Sequence, residues 1–531
     1  MNNTFIVLLL FALQAPIFAG KDVGNDVIRV EALSQRVRSV DQMKGASNFV
    51  RYEVLSEVAN EIKSLAPEFH KDVINDLERG KALHGSQLTL LHKMVGLFIE
   101  LDYKLLRMAE ASKEAVFKVL PLLDRYENFS VAYLPFYKEK KFRRLVNAED
   151  RSYEIERKEF KRQLRLLVKK KELKRVHGLF MNFKAKVKRG DITRSQPLVS
   201  ETLDHHGALL IWDKNYWRKW RRRVVGQTVA DFGSRLGRNI VHHASGAFGN
   251  GMGAIRWRKG YMWKNKKVTE EIRKQLKPLD IITEKVGYTP TDFFIPGHFG
   301  HNAIWLGTKE QIQELGLWEH PVIKPWQKKI EAGYSILETI RAGTGFKTLE
   351  EFMNVDEFGL LRFKKDTLDV QSQREKVIKI YEIAFAQVGK TYDFNFDVET
   401  TDKLVCSELL YQSFGDVNWP TEPYIGRTTI SPDNVVSLAL FDNPPIELVY
   451  YALQNKKGEV IYKDIDDLAS DIGFVKKGDV YKRPYKVCKD EEVKRPGSRG
   501  RETINRRTCE TRFEDLVYTP HAPLPDLDLS L

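Results

Sequence analysis

The hydrophobic pattern of this chain turns to short strands from about residue 276. From residue 21 to about 190, apolar residues recur at steps of three and four, as on one face of an amphipathic helix. The clearest stripe consists of Leu90, Met94, Leu97, Leu101, Leu105 and Met108. After residue 276, short strand-like segments at 279–285, 301–307, 334–340 and 359–363 are mixed with helical ones. The sequence therefore predicts an α+β fold preceded by a mostly α-helical N-terminal domain.

A chain of 531 residues is too long for one ordinary core, so we expect several units. Pattern and composition predict a signal peptide at 1–19, a helical domain at 20–190 and an aromatic, basic and glycine-rich connecting region at 191–275. A mixed α+β domain follows at 276–480. The basic tail at 481–531 is expected to be only partly ordered.

The N-terminus indicates export. The apolar run from Phe5 to Phe18 is shorter than the roughly 20 residues of a membrane span, and small residues follow it at Ala19 and Gly20. This arrangement is typical of a cleavable signal peptide. The leading residues carry no Lys or Arg, so an uncleaved anchor is the alternative. We expect a periplasmic or secreted protein.

Composition excludes some classes of protein. With 42% hydrophobic and 30% charged residues, the chain is neither largely disordered nor a multi-span membrane protein. Its net charge of +14 favours an anionic membrane or cell-wall surface as partner. Zinc-finger and RNA-binding signatures are missing from the sequence, so nucleic acid is not expected. The basic segment 151–189 is either a solvated helix or a helix lying on an anionic surface.

The connecting region has two clusters of aromatic and basic residues. The first holds Trp212, Tyr216, Trp217 and Trp220 among Arg and Lys residues, and the second spans Arg256 to Trp263, after glycines at 246–253. These aromatic residues either contact a lipid or glycan interface or pack the helical domain against the next one. The pairs His205–His206 and His242–His243 have no acidic or Cys partner at metal spacing, so no metal or cofactor is expected.

The three cysteines divide into a pair and a single thiol. Cys488 and Cys509 lie close together in the tail, and exported cysteines tend to pair, so we predict a disulfide between them. Cys406 is then left free. An unpaired thiol in an exported chain is either buried and unreactive or chemically used.

Cys406 stands between an extended segment, 403–405, and an apparent helix, 407–414. A helix N-terminus favours the reactive thiolate and offers N–H groups to an oxyanion. A thiolate nucleophile also needs a base, usually His. His301 opens a strand and is preferred to His298, which lies in the preceding loop; His320 is a third candidate.

The sequence GHFGHNAIWLG, followed about a hundred residues later by GKTYDFNFD and KLVCSELLYQSF, resembles the permuted papain-like amidases of the YaeF/YiiX type. These belong to the NlpC-type superfamily and are related to lecithin:retinol acyltransferase. The resemblance covers about 276–455, although Leu279 stands where glycine is usual before Asp280. The order of His before Cys is the permutation.

The resemblance implies Cys406 as nucleophile and His301 as base. It implies a third polar residue at Glu338, with Glu331 as rival. Tyr392 then lies near the nucleophile, either to bind the oxyanion or in ordinary packing. Glu408, in the first turn of the helix, is expected to cap it.

The predicted function is that of an exported cysteine hydrolase. It cleaves an amide bond, in a cell-wall peptide or an N-acyl amide, through an acyl-enzyme. The alternatives are a lipid acyltransferase or lipid hydrolase acting at a membrane, with the aromatic clusters as docking surface, and a non-catalytic envelope-binding protein.

Overall fold

The computed structural model describes residues 23–78, 81–150, 153, 155–207, 215–220, 222, 258–287, 297–393, 396–424, 427–497 and 500–521. The expected signal peptide, Trp212, His242–His243, the glycines at 246–253 and Trp257 lie outside these residues. Across these ranges, no helix has both the length and the apolar composition that crossing a bilayer requires.

The N-terminal part is helical, as its periodicity predicts. Its α-helices are α1 (Val23–Ser39), α2 (Asn48–Glu78), α3 (Gly85–Ala111), α4 (Leu120–Asn128), α5 (Leu134–Lys138), α6 (Lys140–Leu145), α7 (Glu159–Leu167), α8 (Lys170–Arg189) and α9 (Pro197–Asp204). Residues 215–220 are also helical. Helix α3 buries five of the six residues of its predicted stripe, with Met108 partly buried, and Leu90 and Leu105 are completely inaccessible to solvent. Apolar spacing thus decides which face of α3 points inward.

The C-terminal part mixes helices and strands. Its helices are α10 (Lys266–Gln275), α11 (Lys309–Glu314), α12 (Gln327–Glu331), α13 (Leu349–Phe352), α14 (Arg374–Ala386), α15 (Cys406–Ser413), α16 (Pro432–Ser437) and α17 (Ile465–Asp471). Its strands are β1 (Ile281–Lys285), β2 (His301–Trp305), β3 (Ile336–Ile340), β4 (Gly343–Lys347), β5 (Glu357–Phe363), β6 (Thr391–Tyr392), β7 (Lys403–Leu404), β8 (Glu422–Tyr424), β9 (Arg427–Thr429), β10 (Ile446–Gln454), β11 (Val460–Tyr462), β12 (Val475–Lys477), β13 (Val480–Gly497) and β14 (Gly500–Asp515). The four strands predicted from the sequence correspond to β1, β2, β3 and β5.

A seven-stranded antiparallel sheet forms the centre of this part, in the order β11-β10-β5-β1-β2-β3-β4. Because strand side chains alternate between faces, the sheet has two apolar sides. One side joins a cluster with α10 and α13. The other contributes Ile304 and Leu337 to a larger cluster that includes Leu409 of α15. The predicted α+β class is confirmed.

The helical part and the sheet share one core. The larger cluster of buried side chains runs from Val27 in α1 to Leu468 in α17. At the closest approach, a Cβ on Gly85 of α3 would lie 2.1 Å from the backbone oxygen of Tyr411 in α15, and a Cβ on Gly415 would lie 2.3 Å from the backbone nitrogen of Ser86. Glycine is required at both positions, so α3 directly supports α15.

The C-terminal tail is more regular than expected. Strands β13 and β14 pair antiparallel over their whole length, from Lys482 opposite Asp515 to Gly497 opposite Gly500. Cys488 lies opposite Cys509 and is bonded to it. The predicted disulfide is confirmed. Within the described residues 480–497 and 500–515, cross-strand hydrogen bonds satisfy the backbone of this polar segment.

Two tryptophans of the first aromatic cluster, Trp217 and Trp220, pack inside the helical part. Trp217 and Trp220 are 1% and 4% exposed. The ring of Trp217 stacks on Phe129 and meets Tyr126 edge-on. The packing alternative therefore holds for these two tryptophans, and the interface interpretation is wrong for them.

Candidate active site

Cys406 is the first residue of α15, as the sequence predicts. Val405 before it is extended, and strand β7 leads into it. The Glu408 carboxyl group accepts a hydrogen bond from the backbone N–H of Val405 at 2.8 Å, which confirms its capping role. Burial, followed by the nearby Asp393, raises the pKa of Glu408 well above its usual range. Glu408 therefore caps the helix, and burial favours the protonated form of its carboxyl group.

His301 and Glu338 lie on one face of the sheet. Glu338 on β3 pairs with Ala303 on β2, two residues after His301, and residues two apart on a strand share a face. The His301 Nε2 atom lies 2.9 Å from Glu338 Oε2. On the other carboxylate oxygen, Lys347 Nζ binds Oε1 at 2.7 Å. Both oxygens of this buried carboxylate are thus paired.

The thiol and the imidazole meet at the start of β2. The Cys406 thiol and the His301 imidazole interact, since each favours the charged form of the other. Because Nε2 of His301 is occupied by Glu338, Nδ1 is the ring nitrogen that is left for the sulfur. The nucleophile, the base and the orienting carboxylate thus follow one another in space in the order that activates a thiol.

Electrostatics favour an ion pair between these residues. Burial disfavours the charged imidazole, but hydrogen bonds to Cys406 and Glu338 outweigh it and raise the pKa of His301 to about 10. Burial likewise opposes ionisation of the thiol, but the hydrogen bond and charge of His301 lower the pKa of Cys406 below its ordinary value. Despite burial, His301 and Lys347 lower the pKa of Glu338 to about 2.

Neighbouring polar groups also face the sulfur. Interactions with the backbone of Asn302 and with the Ser407 hydroxyl also lower the pKa of Cys406. The Asn302 amide donates to the Ser407 Oγ at 3.1 Å. Since that oxygen accepts from Asn302, its own proton is free to point at the sulfur, 3.9 Å away.

Tyr392 lies on β6, which pairs in parallel with β7 so that Tyr392 is opposite Leu404. This register brings it near Cys406. Burial, and then the negative charge of Cys406, raise the pKa of Tyr392 far above its usual value. The phenol therefore keeps its proton and can donate a hydrogen bond.

The rival candidates lie in other networks. Glu331 is exposed and pairs with Lys309. His320 lies in a turn, where its ring accepts a hydrogen bond from the backbone N–H of Val322. Neither residue forms a hydrogen bond with the thiol.

His298 is held by other groups at both ring nitrogens. Its Nε2 lies 2.9 Å from Glu357 Oε2 and its Nδ1 lies 2.9 Å from Lys285 Nζ. With Asp471, these residues include the ligand types of a metal site. Lys463 donates to Glu357 at 3.3 Å and to Asp471 at 2.7 Å. The ammonium group of Lys463 therefore supplies the positive charge beside both carboxylates.

A second group of this kind surrounds His205. Its Nε2 lies 3.0 Å from Asp124 and 3.9 Å from Glu127, carboxylates that the sequence spacing of the histidines could not reveal. Tyr52 donates to Asp124 at 2.7 Å, and Lys63 pairs with Glu127 at 2.5 Å. Because Tyr52 and Lys63 contact these carboxylates, we interpret the residues around His205 as a packed polar network.

Sequence reasoning missed three supporting residues. These are Lys347, Asn302 and Asp433, whose carboxylate accepts the backbone N–H groups of His298 and Phe299 just before His301. For Asn302 the signal was available, since it adjoins His301. Lys347 and Asp433 depend on strand register and on a distant helix start, which one sequence does not display.

Comparison with known proteins agrees with this geometry. Residues 275–450 match the family model described as permuted papain-like amidase enzyme, YaeF/YiiX, C92 family. No curated protein and no solved structure shows a match to this sequence. The match confirms the resemblance stated from the motifs and covers β1 to the middle of β10, including Cys406, His301 and Glu338. Residues 275–450 therefore form a cysteine amidase domain of the permuted papain-like YaeF/YiiX family.

Proposed function

We propose that this protein is an exported cysteine amidase that cleaves an amide bond of cell-wall peptides, with N-acyl amides as the second substrate class. The observation that carries the proposal is the hydrogen bond between His301 and Glu338, together with the electrostatic interaction of His301 with Cys406 at the start of α15. In it, the pKa of the thiol is lowered and the pKa of the imidazole is raised. This electrostatic setting is the one that a cysteine nucleophile requires.

In the first half-reaction, the Cys406 thiolate attacks the carbonyl carbon and an S–C bond forms. The carbonyl electrons move to oxygen, and the resulting oxyanion faces the first N–H groups of α15 and the Tyr392 hydroxyl. The His301 imidazolium gives its proton to the amide nitrogen. The C–N bond then breaks, and an amine leaves behind a thioester on Cys406.

In the second half-reaction, neutral His301 takes a proton from water, which attacks the thioester carbonyl. The S–C bond breaks, the carboxylic acid leaves, and the thiolate–imidazolium pair is restored. Glu338 keeps the imidazole oriented and its charged form stable in both steps, and Lys347 holds the second carboxylate oxygen.

Three observations support export and an envelope substrate. The apolar run at 5–18 has the length of a signal-peptide core. Cys488 and Cys509 form a disulfide, which persists in oxidising compartments. The net charge of +14 suits anionic envelope surroundings. N-terminal sequencing of the native protein should find a mature chain starting at Gly20, and an intact Met1 terminus would contradict export by cleavage.

The activity is tested by incubating the mature chain with purified peptidoglycan, and in parallel with N-acyl amides, while released amino groups are measured. We expect release by the parent protein and at least a 1000-fold loss, as an order of magnitude, in Cys406→Ala and His301→Ala. Glu331→Gln is the matched control for Glu338→Gln and should keep full activity. Undiminished activity in Cys406→Ala would overturn the proposal.

A further inference from the structure

The positive charge of this chain is concentrated in one hairpin of helices. Residues 157–194, which include α7 and α8, contain 15 Lys and Arg against 3 Asp and Glu, a net charge of +12 out of +14 for the chain. The remaining 493 residues are nearly neutral as a group. The excess charge is therefore a property of this hairpin, which lies outside the amidase domain.

The cations of the hairpin point outward. Helix α8 buries Val176, Phe180 and Phe183 on its inner side. Its lysines at 170, 171, 174, 184 and 188 are exposed. Apolar packing thus fixes the orientation of α8, and its polar face forms a fixed, solvent-facing lysine surface.

The lysines of this surface on α8 lack carboxylate partners within the part of the chain that the structure describes. The three acidic residues of the hairpin each pair with an arginine: Glu159 with Arg162, Glu172 with Arg175 and Asp191 with Arg189. Among the described residues, no carboxylate lies within 4 Å of the ammonium groups of Lys170, Lys171, Lys174, Lys184 or Lys188. Like charges one turn apart on a helix destabilise it, so the surface gains from an external anion.

Apolar side chains lie among these cations. Met181 is 39% exposed and Leu166 is 40% exposed. Met181 is seven residues from both Lys174 and Lys188, so the three share one line along α8. A dissolved anionic polymer makes no use of exposed apolar side chains, whereas a bilayer takes them up below its headgroups.

We propose that the outer surface of α7 and α8 docks on an anionic phospholipid bilayer, with lysines on the headgroups and Met181 and Leu166 at the acyl boundary. The proposal does not depend on the amidase activity, because the residues that carry it are remote in sequence from Cys406. Docking places the amidase domain at a membrane surface.

The test is co-sedimentation of the mature full-length chain with vesicles of phosphatidylglycerol and phosphatidylcholine, and with vesicles of phosphatidylcholine alone. We expect binding only to the anionic vesicles. The triple variant Lys170→Gln, Lys171→Gln, Lys174→Gln should weaken it by roughly 100-fold, about fivefold for each charge. The control with the same charge change, Lys365→Gln, Lys456→Gln, Lys457→Gln at exposed positions of the C-terminal part, should bind like the parent.

Two further measurements separate the outcomes. Met181→Gln should weaken vesicle binding and leave binding to soluble polyphosphate unchanged, and Cys406→Ala should bind vesicles like the parent. Circular dichroism checks that each variant is folded. Equal vesicle binding by the two triple variants would overturn the proposal, as would polyphosphate binding without any vesicle binding.

Discussion

The substitution Glu338→Gln tests the role of the buried carboxylate without any knowledge of the substrate. Glutamine keeps the shape of the side chain but removes the charge that lies 2.9 Å from His301 Nε2. A hydrogen bond to a charged group contributes about 1.5–3 kcal/mol, and one pKa unit corresponds to about 1.36 kcal/mol. The pKa of His301, about 10 in the parent protein, should therefore fall by roughly one to two units.

The assay is the rate of Cys406 alkylation by iodoacetate as a function of pH. This anionic reagent reacts fastest with a thiolate beside an imidazolium, so its rate declines as His301 loses its proton. We expect this decline near pH 10 in the parent protein and about one to two pH units lower in Glu338→Gln. Glu331→Gln should follow the parent curve. If the curves of Glu338→Gln and the parent coincide, Glu338 does not stabilise the imidazolium and our reasoning fails.

Four further results are expected. Trp217→Ala should lower the free energy of unfolding by about 3–5 kcal/mol, measured by urea denaturation, because the indole is 1% exposed; a loss below about 1 kcal/mol would contradict its burial. Gly85→Ala should be destabilising by several kcal/mol, since its Cβ meets the Tyr411 backbone, whereas Gly178→Ala in α8, where nothing lies within 4 Å of the added Cβ, should stabilise by up to about 1 kcal/mol. Ionised Glu338 has a depressed folded-state pKa of about 2, so its contribution of roughly 3 kcal/mol is present above its ordinary value of 4.5 and is lost as pH falls through about 2; urea denaturation at several acidic pH values should show a shallower loss in Glu338→Gln. Maleimide labelling followed by mass spectrometry should modify Cys406 alone before reduction and all three cysteines after it, and labelling of Cys488 without reductant would contradict the disulfide.

The sequence predicts well what depends on local pattern. The stripe of α3 and the start of α15 at Cys406 follow from apolar spacing and from the break between an extended and a helical segment. The disulfide between Cys488 and Cys509 follows from counting. Each of these inferences uses residues of one short segment of the sequence, the widest being the cysteine pair at a separation of 21.

What the sequence leaves open depends on register and on distant packing. The choice between Glu338 and Glu331 needs the pairing of β2 with β3, which the insertion at 308–333 between the strands conceals from pattern alone. Trp217 was ambiguous because an indole flanked by cations suits either a core or an interface. Polar composition suggested disorder for 480–515, but two polar strands can satisfy each other's backbone groups.

Leu279 illustrates how structure accommodates a departure from the usual motif. Its φ of +68° belongs to the left-handed region, which costs a branched residue about 1–2 kcal/mol. The side chain is 1% exposed, so burial offsets the cost. The backbone N–H of Leu279 donates to the Trp305 carbonyl at 2.8 Å, and the next residue, Asp280, binds Arg362.

The glycine contact between α3 and α15 makes the two halves of this molecule depend on each other structurally. A fragment trimmed to the family boundaries would lose the surface on which the nucleophile helix rests and would expose apolar groups to water. Any change at residue 85 or 415 that adds bulk pushes directly on the helix that presents the sulfur. The long N-terminal extension is thus a structural partner of the reactive centre. Shortening the extension should lower catalytic activity.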